Sequence, residues 1–281
     1  VFLQVLSDNE FAPGHMTLEP DYLMSASELS KASNGSREGS SKQIRQRFLF
    51  QKFNTPNPDI FFKGNLVNTI FDSFVSGDSN MSNALRKAWA QDPVSFLFQK
   101  EKAEQRFSFE TAISEAQGVY QTGIKQALGE IDLNAVPNSI TEVEPSFIQP
   151  VYGLQGRLDF LRGAFDHEGR AIRCDIIELK SGSYFRGPSE SDLDQVGYYD
   201  LLLRNIDLEN TSPSEKMRIK GLRKVLYPKS FGKAETVLHG FNDRNDGHPD
   251  TLISFKRTQQ LLNARNVIVA MLRNLANQST I

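Results

Sequence analysis

The run CDIIELKSGS, Cys174 to Ser183, constrains this chain more than any other stretch. Its apolar residues lead into a core, yet Glu178 and Lys180 stand two positions apart at its end. Side chains alternate across a strand, so Glu178 and Lys180 share one face and Leu179 takes the other. A carboxylate or ammonium entering a core is costly unless it is paired or binds an ion. A plain ion pair at a strand end would satisfy both groups, and a Glu-x-Lys triplet is expected about once by chance in a chain of this size. The surrounding pattern decides how much more to read into it.

Before this run the chain is mainly helical. Val1 to Pro20 reads as extended or loop-like, and Ser25 to Glu28 forms a capping-box pattern that starts a short helix. A polar, Gly/Ser-rich segment from Lys31 to Lys42 reads as mobile. QIRQRFLFQKF follows as a basic helix. Leu66, Ile70 and Phe74 recur at steps of four and mark an amphipathic helix. The stretch from Asn80 to Glu104 is helical, interrupted near Pro93. A further stripe runs from Phe109 to Ala127.

At about Ser139 the periodicity changes. ITEVEPSFIQP, GLQGRLDFLRGAFD and RAIRCDIIELKSG read as three strands, with HEGR as the turn between the last two. ESDLDQVGYYDLLLRN is then a helix, KMRIKGLRKVLYP and AETVLHGF are strands, and a long helix covers Asp250 to Asn277. This order predicts one α/β domain over 1–281, with a helical part (1–138) and a core (139–281) whose mixed sheet is flanked by helices.

The hairpin turn near Glu168 leaves Asp159 and Glu178 about nine and ten residues away on its two arms. Side chains facing each other across such a pair approach to roughly 5 Å. Two carboxylates that close repel unless a divalent cation neutralises them. An oxygen-only pair suits magnesium, and the neighbouring Lys180 can position a water or stabilise charge on a phosphate. Gln195 and Tyr199, four apart on the following helix, share a face that can lie over the site.

GLQGRLD, IIELKSG and DQVGYYDLLL, in that order, resemble the PD-(D/E)XK nuclease superfamily in its RecB-like branch. The nuclease domain of Dna-two-type helicase-nucleases is the nearest likeness. GNLVNTIFDSF, GLRKVLYP and LLNARNVIVAML resemble outer motifs of that family, so the likeness covers most of the chain. It implies a restriction-endonuclease-like core and a Mg2+- or Mn2+-dependent deoxyribonuclease acting on single-stranded DNA or DNA ends. Asp159 and Glu178 would be metal ligands, with the carbonyl of Leu179 and the side chain of Asn68 as further ones. Lys180 would be the catalytic lysine, with Gln195 and Tyr199 beside it, and Glu144 would match an acidic residue on the first strand. Arg157 would contact DNA; Lys220, Arg223 and Lys224 belong to the basic run Lys216–Lys229, which either tracks a phosphate backbone or forms a solvated strand face.

Two departures stand out. Asn68 occupies a position where the family has His; its carbonyl still suits magnesium but lacks the nitrogen that favours manganese. The family's iron–sulfur cluster needs four cysteines, and this chain has one, Cys174, so no cluster is expected. A formal charge of −2 argues against a strongly basic nucleic-acid binder but not against a local basic groove, such as the Lys216–Lys229 run. Arg45 and Arg47 beside Phe48 and Phe50 fit single-stranded nucleic acid, although those phenylalanines, like Trp89, read first as core. The four histidines are scattered and none is assigned to metal.

No apolar run reaches the roughly 20 residues that span a bilayer, and neither a secretory signal nor a disulfide framework is visible. An intracellular location, in cytoplasm or nucleoid, is the expectation. A first residue of Val rather than Met reads as a piece of a longer chain, and the resemblance implies a helicase domain within it. A stand-alone Cas-four-like or restriction-type nuclease, or a non-catalytic DNA-binding module of the same fold, are the alternatives.

Overall fold

The computed structural model describes residues 2–7, 10–34, 40–53, 58–78, 80–101, 139–165, 167, 171–180, 189–203, 223–227, 238–240 and 255–278. The predicted stripe from Phe109 to Ala127 and Lys220 lie outside them. The protein is a mixed α/β structure with mixed sheets flanked by helices.

Strands β1 (Phe2–Ser7) and β2 (Glu10–His15) form an antiparallel hairpin. After β3 (Met24–Ser25) come α1 (Ala26–Ser33), α2 (Ser41–Phe53), α3 (Pro58–Val75), α4 (Met81–Gln91) and α5 (Pro93–Glu101). Pro93 therefore opens a helix, where its missing N–H costs nothing, and Asp92 caps it by accepting from Ser95 N at 3.0 Å. The capping box expected at Ser25 does not form. The Ser25 hydroxyl meets the Ser27 hydroxyl at 2.9 Å instead, which takes it away from the helix N–H groups.

The second half supplies β4 (Ser139–Val143), β5 (Ser146–Gln149), β6 (Leu154–Arg157), β7 (Phe160–Phe165), β8 (Ala171–Leu179), α6 (Glu190–Leu202), β9 (Arg223–Leu226), β10 (Leu238–Gly240) and α7 (Phe255–Gln278). One sheet has the order β10-β9-β8-β7-β4 and the other β3-β6-β5. Strands β4, β7 and β8 pair antiparallel in turn, whereas β8 and β9 are parallel. A parallel neighbour needs a crossover, and α6 lies in that connection.

Two of the three expected strands are each split in two. ITEVEPSFIQP breaks at Glu144–Pro145 and GLQGRLDFLRGAFD at Leu158–Asp159, and the halves join different sheets. Pro145 has no N–H for a ladder, and Glu144 takes a left-handed φ of 52°. The two breaks are stitched together: Glu144 N donates to Asp159 O at 3.2 Å, and Leu158 N donates to Pro145 O at 3.0 Å. Asp159 thus sits at a shared corner.

Alternation along β8 divides the core. Cys174 and Ile176 face a cluster containing Leu154 of β6, Tyr198 and Leu201 of α6 and Leu261 and Ile268 of α7. Ile177 and Leu179 face the other way, onto Phe62, Leu66, Ile70 and Phe71 of α3, with Phe160 and Leu226. The predicted stripe on α3, Leu66, Ile70 and Phe74, is therefore the buried one. On β7 and β8, Arg162 and Asp175 stand in register and both are buried. Their two hydrogen bonds, Nε and Nη2 to Oδ2 at 2.8 and 2.5 Å, compensate the charge that burial would otherwise penalise.

Trp89, expected in the core, is 44% exposed, with one edge against Phe96. Phe48 is buried while Phe50 is exposed, so that expectation holds for one of the two.

Candidate active site

Strand β8 ends where β9 holds it: Lys180 N donates to Leu226 O at 2.9 Å, which continues the parallel ladder one residue beyond Leu179. This fixes Glu178, 3% exposed, on the α6 side. Continuing the β7–β8 register from Phe160↔Ile177 puts Asp159 opposite Glu178, as the hairpin count predicts. The corner turns the Asp159 carboxylate toward the strand end, where its Oδ2 accepts from Leu179 N at 2.7 Å.

Lys180 Nζ donates to Glu178 Oε1 at 2.7 Å and to Gln195 Oε1 at 2.8 Å. Gln195 Nε2 donates to Tyr199 OH at 2.7 Å, and Tyr199 OH donates to Arg157 O at 2.9 Å. One continuous hydrogen-bonded chain thus links the expected residues Glu178, Lys180, Gln195 and Tyr199.

Gly156 lets the helix come this close. A Cβ there would fall 2.9 Å from Leu202 Cδ1 and 3.3 Å from Tyr199 Cε1. Elsewhere α6 is seated by Ser33 Oγ donating to Asp194 Oδ2 at 2.6 Å, by the Arg257–Asp194 ion pair, and by Tyr198 OH donating to Leu261 O at 2.9 Å. Ser189 caps it, accepting from Asp192 N at 3.0 Å.

Burial, reinforced by the charge of Glu178, pushes the Asp159 carboxyl well above the ordinary carboxylate range, against the Leu179 N–H and Lys180. Burial also works against the charge on Lys180, but Glu178 and Asp192 outweigh it and its pKa is raised. Tyr199 is shifted up by burial and by both carboxylates, so it stays a neutral donor. Glu178 Oε2 is buried with no hydrogen-bond partner. Among the described residues no group of three or more His, Cys, Asp or Glu side chains is gathered for a metal ion.

Leu179 contributes its N–H to Asp159 and its side chain to the α3 core. Asn68 makes no hydrogen bond to Asp159 or Glu178. It lines an adjoining cleft with Glu144 and Arg157, which pair at 3.4 Å between Nη1 and Oε2. Arg223 and Lys224 lie on β9; the Arg223 side chain is outside the described residues.

Sequence reasoning missed two carboxylates nearby, one beside Lys180 and one in the adjoining cleft. Asp192 Oδ1 lies 3.6 Å from Lys180 Nζ, and its Oδ2 accepts from Tyr227 OH at 2.7 Å. Asp192 precedes Gln195 by three positions, so the helical stripe already carried that signal. Asp72, four after Asn68 on α3, lines the cleft, and its pKa is raised to about 7, first by burial and then by Glu144, against Arg157 and Lys87.

No family model matches this chain, and no curated protein matches it.

Proposed function

We propose that this chain is a metal-dependent deoxyribonuclease of the PD-(D/E)XK, RecB-like type, hydrolysing phosphodiester bonds in single-stranded DNA or at DNA ends. The nuclease domain of a helicase-nuclease is the setting this reading favours. The observation that carries it is the unbroken chain Glu178–Lys180–Gln195–Tyr199, with Asp159 opposite Glu178. Three antiparallel strands followed by a helix and a parallel strand are also the order this family implies. Among the described residues no helix is long and apolar enough to cross a membrane.

The donor set fits a divalent cation. An unpartnered buried oxygen on Glu178 and a carboxyl on Asp159 whose ionisation is opposed by its neighbour both gain from a nearby positive charge. Asp159 and Glu178 would hold Mg2+ or Mn2+, with the Leu179 carbonyl as a further ligand. Bound there, the ion would supply Lewis acidity toward a water and a phosphate oxygen.

The protein's own groups do the rest. Lys180 is held as an ammonium and aims its charge at the phosphate oxygens as negative charge builds in the transition state. Gln195 fixes the direction of that ammonium by accepting one of its protons. Tyr199 fixes the Gln195 amide by accepting from it while donating to Arg157 O.

The test is cleavage of end-labelled single-stranded and duplex DNA with and without Mg2+ or Mn2+. Metal-dependent cleavage lost in Glu178→Ala supports the reading; no cleavage of either substrate with either metal refutes it.

A further inference from the structure

The lysine chemistry makes no use of the cleft beside it. This cleft has a volume of about 330 Å³ and lies between α3, α4, α5 and the strand corner. Its floor is apolar and includes Phe62 and Phe96, which meet edge to face with 4.8 Å between ring centroids. Its walls are rich in amides. The side chains of Asn65 and Asn68 make no hydrogen bond among the described residues, and Gln91 Oε1 accepts from Thr69 Oγ1 at 3.1 Å, which leaves the Gln91 NH₂ to point elsewhere. Arg157 lines it as well, two residues before Asp159, with its guanidinium largely exposed.

We propose that this cleft is a nucleobase pocket, taking the base of the nucleotide next to the phosphate bound at Asp159 and Glu178. The proposal rests on the nuclease reading and specifies how its substrate is gripped. Side-chain amides present a donor and an acceptor side by side, the pattern that matches the edges of bases. An aromatic and aliphatic floor accepts the face of a base. Arg157 stands where a neighbouring phosphate would run, so one nucleotide spans from guanidinium to pocket. The volume is at the low end for small-molecule sites, which suits one base rather than a larger group. Three carboxylates line the cleft as well: Asp72, whose pKa is raised to about 7, first by burial, Glu144, which pairs with Arg157, and Asp92, which caps α5 by accepting from Ser95 N.

The test compares binding of two fluorescent strands of about 12 nucleotides, one of thymidines and one wholly abasic, without divalent metal. The wild-type chain binds the base-bearing strand roughly tenfold or more tightly. The double variant Asn65→Leu/Gln91→Leu binds both strands alike, with its affinity for the abasic strand unchanged. Asn65 and Gln91 are exposed, so folding is preserved; if melting shows that Gln91→Leu unfolds the chain, Asn65→Leu alone carries the comparison, with a partial loss of preference. Equal binding by the wild type, or a preference that survives in the variant, overturns the pocket. Cleavage with Mg2+ is read separately. Cleavage without base preference refutes the pocket alone, and base preference without cleavage refutes the nuclease reading alone.

Discussion

Replacing Asp72 by Asn should stabilise the protein at pH 8 and leave it almost unchanged at pH 4. Asp72 is partly buried, has no hydrogen-bond partner for its carboxylate among the described residues, and faces Glu144. Its pKa rises from 3.8 to about 7. The folded state therefore holds the proton more tightly than the unfolded chain. The resulting stability is fully present below pH 3.8, declines as the unfolded carboxyl ionises, and is gone once the pH passes about 7. About three pH units at ~1.4 kcal/mol each would set a ceiling near 4 kcal/mol. Solvent screening of the part-exposed carboxylate reduces this to on the order of 2 kcal/mol. An isosteric neutral amide escapes that loss, so Asp72→Asn should melt about 4 °C higher at pH 8, with the gap closing toward pH 4. Paired thermal melts of both proteins at the two pH values, without divalent metal, measure it. A variant that melts lower at pH 8, or a gap independent of pH, would refute the reasoning.

Asp159→Ala and Glu178→Ala should each abolish metal-dependent cleavage, and in Asp159→Ala the metal-free melting temperature should hold or rise, because it removes a buried carboxyl that Glu178 repels; wild-type cleavage in either variant contradicts the metal assignment. Lys180→Met should lower single-turnover cleavage about a hundredfold or more without weakening Mg2+ binding, whereas reduced stability with normal turnover would make the lysine a structural ion-pair partner. Titrating Mg2+ binding against pH should show affinity falling as pH drops, since the raised Asp159 pKa makes protons compete for the site; a flat profile down to pH 5 would contradict this. Reversing Lys220 and Lys224 together should weaken single-strand binding and reduce its log–log salt slope by about 0.7 for each phosphate no longer neutralised; an unchanged slope means that neither lysine contacts a phosphate.

Glu178, Lys180, Gln195 and Tyr199 could be read from the sequence because each relation is local. Strand alternation puts Glu178 and Lys180 on one side, helical spacing does the same for Gln195 and Tyr199, and the turn expected near Glu168 sets the Asp159–Glu178 count. The two sheet corners were not legible. A strand that changes sheets keeps its alternation, and only Pro145 hinted at a break. Asp72 escaped notice because its perturbation comes from burial and from Glu144, 72 residues away in sequence. The exposure of Trp89 was hidden for a related reason: helical periodicity finds an apolar face but not whether another element covers it.

Arg265 and Asn266 of α7 tie early and late segments of the fold together. Arg265 is fully buried and donates to the carbonyls of Leu18, Glu19, Tyr22 and Gly153, while Asn266 accepts from Leu18 N at 2.8 Å and donates to Met16 O at 2.7 Å. Gly153, at a φ of 59°, has no Cβ to block the guanidinium. The Asn266–Met16 hydrogen bond joins residues 250 positions apart. At a synthesis rate of about 5–20 residues per second, the early segment waits roughly 12 to 50 seconds for its partner. Helix α6 rests on α7 through Tyr198, so the helix carrying Gln195 and Tyr199 gains its final support only when α7 has left the ribosome. On the nuclease reading, a chain-cutting centre built this way stays latent while the fold is being synthesised and is armed when α7 arrives.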